Sequence, residues 1–281
     1  MTDSAERGSD SGAGSPLTHP AYGTLREVTP FASVILCENP GVMELDGTNT
    51  WILRAPGCKE CVVVDPGPAR HKKHVKLLAQ QPGIALTLIT HRHHDHTGAI
   101  DVLRKRTGAP TRARLPEHCR DGVPLRDREV IEIAGLRITV LFTPGHSGDS
   151  VSFLVELDGH RAMLTGDTIL GSGTTVIDPA DGSLRDYMGS LNRLIVDGGE
   201  AVMLPGHGPD HAHLEPVARY YKAHREERID QIRAALDAMG VSAHKAKPMK
   251  VVKRVYADVD KKLWPAARMS VKAQLEYLRG E

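Results

Sequence analysis

Short runs of apolar residues, separated by turn residues, fill most of the first three quarters of the chain. They predict β-strands at residues 34–37, 50–54, 61–65, 84–90, 131–134, 137–142, 152–157 and 161–165. Between them, apolar residues recur every three or four positions and predict helices at 69–80, 98–107 and 184–196. Strands mixed with helices in this order predict an α/β fold in which two sheets are covered by helices.

The pattern changes after residue 214. Residues 216–239, 249–256, 263–267 and 271–278 have a helical apolar pattern, and no strand pattern accompanies them. We therefore predict a strand-containing domain at 21–214 and a small helical domain at 215–281. Residues 1–20 are rich in Ser, Gly, Asp and Pro, so they have little apolar surface to bury, and we expect a flexible leader there.

Composition and charge narrow the class of protein. The chain is 40% hydrophobic and 25% charged, which is typical of globular proteins, and no apolar run approaches the roughly 20 residues of a membrane helix. Four cysteines are too few for a disulfide-stapled scaffold, and the leader lacks the pattern of an export signal, so we expect a cytoplasmic protein. Residues 215–281 hold 15 Lys and Arg against 9 Asp and Glu. This excess is typical either of a lysine-rich solvated helix or of a polyanion-binding surface.

A cluster of ionisable residues follows the predicted strand 84–90. His91 and His93 are two residues apart on extended chain, so their side chains project to the same side. Asp95 and His96 come where the chain turns into the next predicted helix. Four ligand-type side chains within six residues can supply two adjacent metal sites.

Three more ligand-type residues occur where later strands end. His146 and His207 each follow a Pro-Gly turn, and Asp167 ends an apolar run. Loops at strand ends commonly converge on functional sites. Imidazole and carboxylate donors without a thiolate suit Zn²⁺, and Mn²⁺ or Fe²⁺ are also compatible with them.

These motifs, taken in order, resemble the metallo-β-lactamase superfamily over residues 28–210, and Asp65 in the sequence Val-Val-Val-Asp-Pro-Gly matches its first motif. The resemblance implies a four-layer αββα sandwich with two metal ions that hold a hydroxide. It also implies that Asp95 orients this hydroxide and that Asp65 orients a ligand histidine, so both are expected to act in catalysis. The implied ligands are His91, His93 and His146 for one ion, Asp95, His96 and His207 for the other, and Asp167 as the bridge between them.

A narrower resemblance, to the β-lactamase-like protein 2 subgroup, lies outside these ligands. It is carried by residues 166–176 and 184–191, by the pair His224-Arg225, and by the C-terminal segment 255–278. The resemblance implies a winged-helix-like C-terminal domain and cleavage of single-stranded RNA.

Several functions remain open on the sequence. The leading hypothesis is a zinc-dependent hydrolase with two metal ions that cleaves phosphodiester bonds of single-stranded RNA. The alternatives are a thioester hydrolase of the hydroxyacylglutathione hydrolase type and a weak β-lactamase, both acting on small molecules. A non-enzymatic alternative is a nucleic-acid-binding regulator with a vestigial site. No membrane partner is expected, and the oligomeric state is left open.

Overall fold

The computed structural model describes residues 18–178, 180–258 and 260–280. All but the last three residues of the expected leader, 1–20, lie outside the described residues. The described chain forms two β-sheets and seven α-helices. None of these helices is long and apolar enough to cross a membrane.

Sheet 1 contains the first six strands in chain order. Neighbouring strands from β1 to β4 are antiparallel, whereas β4, β5 and β6 run parallel to one another. The strands are β1 (Leu25–Thr29), β2 (Ala32–Leu36), β3 (Asn49–Leu53), β4 (Cys61–Val64), β5 (Ile84–Leu88) and β6 (Thr111–Arg112).

Sheet 2 contains the remaining five strands in the order β11-β10-β9-β8-β7. Only β10 and β11 are parallel, so their carboxyl ends lie at the same edge. The strands are β7 (Val130–Ile133), β8 (Leu136–Phe142), β9 (Val151–Leu157), β10 (His160–Gly166) and β11 (Val202–Pro205).

The two sheets pack face to face, with helices on both outer surfaces. The inner faces share one apolar core, to which Trp51, Leu88 and Phe153 belong. Helices α1 and α3 cover the outside of sheet 1, and α4 and α5 cover the outside of sheet 2. This arrangement confirms the predicted αββα sandwich. The helices are α1 (Lys72–Ala79), α2 (His94–Thr97), α3 (Ile100–Thr107), α4 (Leu184–Gly198), α5 (Leu214–Met239), α6 (Pro248–Val255) and α7 (Trp264–Arg279).

Helix α5 contributes to two apolar cores. Leu214 and Tyr221, in its first half, pack with α4 against sheet 2. Ile232 and Leu236, in its second half, pack with α6 and α7. The predicted domain boundary at residue 214 therefore falls where this shared helix begins.

Two details of the secondary structure differ from the sequence prediction. The predicted helices 263–267 and 271–278 are one helix, α7, because no helix-breaking residue separates them. Strands β1, β6 and β11 were not among the predicted strands. Strand β6 has only two residues, β1 contains the charged residues Arg26 and Glu27, and β11 ends at Pro205, so none of them gives a clear apolar strand pattern.

Candidate metal centre

The seven predicted ligand residues meet at one edge of the sandwich. Four separate segments carry them, and these segments follow strands β5, β8, β10 and β11. The side chains form two adjoining groups, and within each group one ligand atom per residue lies within 4.8 Å of the others. The first group is His91, His93, His146 and Asp167, and the second is Asp95, His96 and His207.

Three histidine nitrogens converge in the first group. Nδ1 of His93 lies 2.9 Å from Nε2 of His91 and 3.0 Å from Nε2 of His146. An imidazole nitrogen carries at most one hydrogen, so these three atoms cannot satisfy one another as donors and acceptors. A cation at their common point would accept all three lone pairs.

The second group repeats this arrangement around a carboxylate. Oδ2 of Asp95 lies 3.1 Å from Nε2 of His96 and 3.1 Å from Nε2 of His207. Asp167 lies between the groups, because its Oδ2 is 3.7 Å from Nε2 of His146 and 3.3 Å from Nε2 of His207. Oδ1 of Asp167 is buried and has no hydrogen-bond partner, as expected for an oxygen that a cation would coordinate.

Each of the five histidines faces a protein oxygen acceptor through its other ring nitrogen. Such a contact fixes the tautomer and leaves the first nitrogen free to bind a metal. The pairs are His91 Nδ1 with Thr90 Oγ1 (3.0 Å), His93 Nε2 with Asp178 Oδ2 (2.9 Å), His146 Nδ1 with the Val176 carbonyl (2.6 Å), His96 Nδ1 with Asp65 Oδ2 (2.8 Å) and His207 Nδ1 with the Gly47 carbonyl (3.0 Å).

Asp65 lies outside the two groups, where its carboxylate supports them. The side chain is buried, and its Oδ2 contacts Nδ1 of His96 and accepts a hydrogen bond of 2.7 Å from the Thr90 hydroxyl. Its Oδ1 accepts from the backbone N–H of Thr90 at 2.8 Å. The backbone of Asp65 is in the left-handed region with φ of 55°, which turns the chain sharply after β4.

The electrostatics of the centre favour a cation. Burial alone would raise the pKa of Asp95 and of Asp167, but the neighbouring His96 and His207 outweigh burial and hold both values below the usual range. Burial also acts to lower the pKa of His207, yet the Asp167 carboxylate beside it raises that pKa to about 10. The protein groups alone thus gather protons around two ionised carboxylates, and a divalent ion can replace those protons.

Several residues that support the histidines were not predicted from the sequence. Thr90 could have been found, because it directly precedes His91. Asp178, which contacts His93 and forms ion pairs with Arg92, lies 85 residues from His93 and carries no local signal. The Thr48 hydroxyl lies 3.4 Å from Oδ2 of Asp95, and Thr48 precedes Asp95 by 47 residues, so it too carries no local signal.

Comparison with known proteins places this geometry in a family. Residues 43–207 match the metallo-beta-lactamase superfamily, and residues 248–281 match the beta-lactamase associated winged helix domain. The chain belongs to the metallo-beta-lactamase superfamily and is a metal-dependent hydrolase of that superfamily.

Curated relatives extend over most of the chain. A beta-lactamase-like protein 2 homolog of Caenorhabditis elegans is 32% identical over 266 residues, which cover 90% of this chain and 86% of that protein. The lactamase-like protein vrtG of Penicillium aethiopicum is 32% identical over 229 residues, which cover 80% of this chain and 72% of that protein. An atrochrysone carboxyl ACP thioesterase of Aspergillus fumigatus is 32% identical over 216 residues, which cover 74% of this chain and 66% of that protein.

A solved structure shares the fold over nearly the whole chain. The crystal structure of a beta-lactamase domain protein from Burkholderia ambifaria aligns with a TM-score of 0.74 and 21% identity. The alignment covers 93% of this chain and 90% of that one. At this identity the likeness concerns the fold alone.

Proposed function

We propose that the protein is a hydrolase with two metal ions, and that the ions are zinc. The observation that carries this proposal is the pair of adjoining ligand groups with the Asp167 carboxylate between them. One ion would be held by His91, His93 and His146. The other ion would be held by Asp95, His96 and His207. Asp167 would contact both ions. The nitrogen and oxygen donors suit Zn²⁺, and Mn²⁺ or Fe²⁺ also satisfy them.

The residues of the centre have separable tasks in this proposal. Two bound zinc ions would supply water of lowered pKa and positive charge for the oxygens of the substrate. Asp95 has a side chain that is 21% exposed, whereas that of Asp167 is 11% exposed. Asp95 is thus the carboxylate better placed to orient an attacking water and to pass a proton to the leaving group. Asp65 is buried behind His96 and keeps that ring oriented.

Single-stranded RNA is the substrate that we propose. The observation that supports it is a run of cations on and before helix α6. No acidic residue occurs between residues 238 and 257, and the cations of this segment are exposed and form no ion pair among the described residues. They are Lys245, Lys247, Lys250, Lys253 and Arg254. Unpaired cations on one segment favour the phosphates of a nucleic acid.

Thioester hydrolysis is a second candidate, favoured by a different observation. A cavity of about 430 Å³ lies between the segment 174–177 and the C-terminal helices. Met43, Leu263 and Met269 line it with exposed apolar side chains that suit an acyl chain. The thioesterase of Aspergillus fumigatus described above is also a relative of this chain.

The test is a hydrolysis panel with the zinc-loaded full chain. The substrates are a single-stranded RNA, bis(p-nitrophenyl) phosphate, a hydroxyacylglutathione, an acyl-carrier-protein thioester and a cephalosporin, each with and without chelator. We expect the RNA to be cleaved with the highest kcat/KM. A thioester preferred over RNA by tenfold or more would replace the RNA proposal with the second candidate.

The variant Lys250→Gln/Lys253→Gln tests the role of the α6 cations. We expect it to lower kcat/KM for RNA about tenfold and to leave bis(p-nitrophenyl) phosphate unaffected, because only the polymer reaches α6. Lys105→Gln/Arg106→Gln on α3 is the matched control, because both side chains are exposed and neither forms an ion pair with a described residue. Equal effects of the two pairs on RNA would contradict a specific role for α6.

We also propose that the protein acts in the cytoplasm. All four cysteines are free thiols, which supports a reducing compartment.

A further inference from the structure

A cavity of about 690 Å³ lies between the end of strand β2 and helix α1. We call it the α1 cavity. Its walls come from residues 70–80, from Leu36 and Glu38 at the end of β2, and from residues 22–23. None of the predicted metal ligands lines it.

The α1 cavity is strongly basic. Arg70, Lys72, Lys73 and Lys76 line it, and Glu38 is the one acidic residue on its described walls. These four cations are exposed, and none forms an ion pair with a described residue. Four unpaired cations around one cavity favour an anionic ligand with several oxygens.

The start of helix α1 adds to this preference. Its first turn contains no acidic residue, and no side chain caps it. The first backbone N–H groups of a helix have no partner within the helix, and the helix dipole is positive at that end. Phosphate groups bind at such helix ends.

A buried histidine on the inner wall indicates a second kind of contact. His74 is 5% exposed, and its Nε2 lies 2.8 Å from the Thr50 hydroxyl. That hydroxyl donates to the Asp65 carbonyl at 2.6 Å, so it must accept the hydrogen of His74 Nε2. Nδ1 of His74 is therefore an acceptor, and it has no hydrogen-bond partner. A buried acceptor without a partner calls for a donor such as a hydroxyl group.

The α1 cavity lies at the same edge of sheet 1 as the metal centre. Arg70 follows Asp65 by five residues, so their Cα atoms are at most about 18 Å apart. On the other wall, Glu38 adjoins Asn39, whose side chain donates to the Thr48 hydroxyl at 3.0 Å. That hydroxyl is the group beside Asp95.

We propose that the α1 cavity is a binding site for a phosphorylated sugar. The cations and the start of α1 hold the phosphate, and Nδ1 of His74 accepts a hydrogen bond from a sugar hydroxyl. We assign the ligand as a ribonucleotide unit of the RNA strand that reaches the metal centre, and this assignment rests on the RNA substrate proposed above. A free sugar phosphate has the same chemistry, and the experiments below separate the two sources.

The first experiment tests the site without RNA. The ¹⁵N-labelled, zinc-loaded full chain is titrated with ribose 5-phosphate and, separately, with inorganic phosphate, and the amide signals of residues 70–76 are followed by NMR. We expect both ligands to shift these signals, with ribose 5-phosphate binding more tightly. Lys72→Gln/Lys73→Gln should weaken both ligands at least tenfold, whereas Lys105→Gln/Arg106→Gln should leave them unchanged.

The variant His74→Gln tests the sugar contact alone. A glutamine amide can still donate toward Thr50, but it lacks the Nδ1 acceptor. We expect the preference for ribose 5-phosphate over inorganic phosphate to fall by about three- to tenfold, the effect of one hydrogen bond. An unchanged preference in a folded, metal-loaded variant would overturn the role of His74. If this variant does not fold, the lysine pair still tests the phosphate contact.

The second experiment connects the site to RNA. Binding of a labelled single-stranded RNA to the full chain is measured by fluorescence anisotropy at several salt concentrations. Log affinity falls with log salt at a slope of about −0.7 per phosphate contact on a single strand, so each lost contact makes the slope less steep by about 0.7. We expect Lys72→Gln/Lys73→Gln to make the slope less steep by about 1.4 and the control pair on α3 to leave it unchanged.

The outcomes separate this inference from the proposed function. Shifts of the α1 amides, together with a less steep salt slope for the lysine variant, support the site and its link to RNA. Shifts with an unchanged slope, or with no RNA binding at all, support a site for a free sugar phosphate and overturn the link to RNA. An absence of shifts with both small ligands, together with an unchanged slope, overturns the site, and RNA cleavage in the hydrolysis panel would then still stand.

Discussion

Among single residues, Asp65 affects both ligand groups at once. Its Oδ2 contacts His96 of the second group directly and reaches His91 of the first group through the Thr90 hydroxyl. One buried carboxylate thereby orients a histidine on each side of the centre. Residues that orient metal ligands in this way commonly change activity or metal affinity by 10- to 100-fold when they are replaced.

Asp65→Asn should therefore reduce turnover while most of the metal remains. An amide presents one oxygen and one NH₂ group, so either the backbone N–H of Thr90 loses its acceptor, or His96 and the Thr90 hydroxyl both lose theirs. We expect kcat for bis(p-nitrophenyl) phosphate to fall about 10- to 100-fold and metal content, measured by elemental analysis, to stay near that of the wild type.

Two substitutions of Thr90 serve as controls for this prediction. Thr90→Ser keeps the hydroxyl and should behave like the wild type, whereas Thr90→Val removes only the link to His91 and should have a smaller effect than Asp65→Asn. If Asp65→Asn instead lost all of its metal, Asp65 would be required for the ions to bind.

Among the structural elements, the loop between β8 and β9 sets the position of His146 by packing against α4. The backbone N–H of Ser183, which caps α4, donates to the Gly145 carbonyl at 3.0 Å. Gly145 has φ of 143°, and a Cβ atom there would lie 2.6 Å from the backbone nitrogen of Tyr187. Only glycine allows this close approach of the loop to the helix.

Gly145→Ala should be strongly destabilising, and Gly159→Ala provides a matched comparison. Gly159 also has a positive φ, 82°, but a Cβ atom there would meet nothing within 4 Å. We expect Gly159→Ala to cost about 1 kcal/mol of unfolding free energy from backbone strain, and Gly145→Ala about 1–3 kcal/mol more from the steric overlap. Urea unfolding of the two variants measures the difference, and equal losses would contradict a tight contact at Gly145.

In the molecule as a whole, helix α5 joins the sandwich to the C-terminal helices. Tyr221 is buried against sheet 2, and its hydroxyl accepts from the backbone N–H of Leu170 at 3.1 Å. Arg225, on the next turn, donates to the Thr175 carbonyl, and its guanidinium lies 5.2 Å from the centre of the Tyr187 ring. The first half of α5 is thus part of the sandwich.

A chain that ends at residue 214 should consequently aggregate. It would lack the helix that covers α4 and would expose an apolar surface. A chain that ends at Gly240 exposes Ile232 and Leu236, but it keeps the part of α5 that covers α4 and should be more soluble than the 1–214 chain. Gel filtration of both chains measures this, and a monodisperse 1–214 chain with full metal content would show that α5 is dispensable for the sandwich.

Removal of metal should also destabilise the whole molecule. A ligand at about 1,000 times its Kd stabilises the folded state by about 4 kcal/mol. Because a domain of this size gains roughly 2–4 °C per kcal/mol, chelation should lower Tm by about 8–16 °C. Differential scanning calorimetry with and without chelator measures the shift. An unchanged Tm in protein shown by elemental analysis to have lost its metal would contradict structural coupling of the centre.

Local patterns predicted most of the strands, the helices and the four ligand residues between residues 91 and 96, because these features depend on neighbours along the chain. Alternation of apolar residues indicated the strands, and the spacing of His91, His93, Asp95 and His96 indicated two ligand groups. The resemblance to a known family then supplied their grouping with His146, Asp167 and His207.

Contacts between residues that are far apart in sequence could be identified only from the folded chain. Asp178 contacts His93 and the Gly47 carbonyl contacts His207 because the two sheets pack and bring their loop ends to one edge. Asp65 contacts His96 because β4 and β5 are parallel neighbours in sheet 1. The same holds for the α1 cavity and for the division of α5 between two cores. Periodicity reports which face of an element is buried, but the partner of that face is chosen by the packing of the whole molecule.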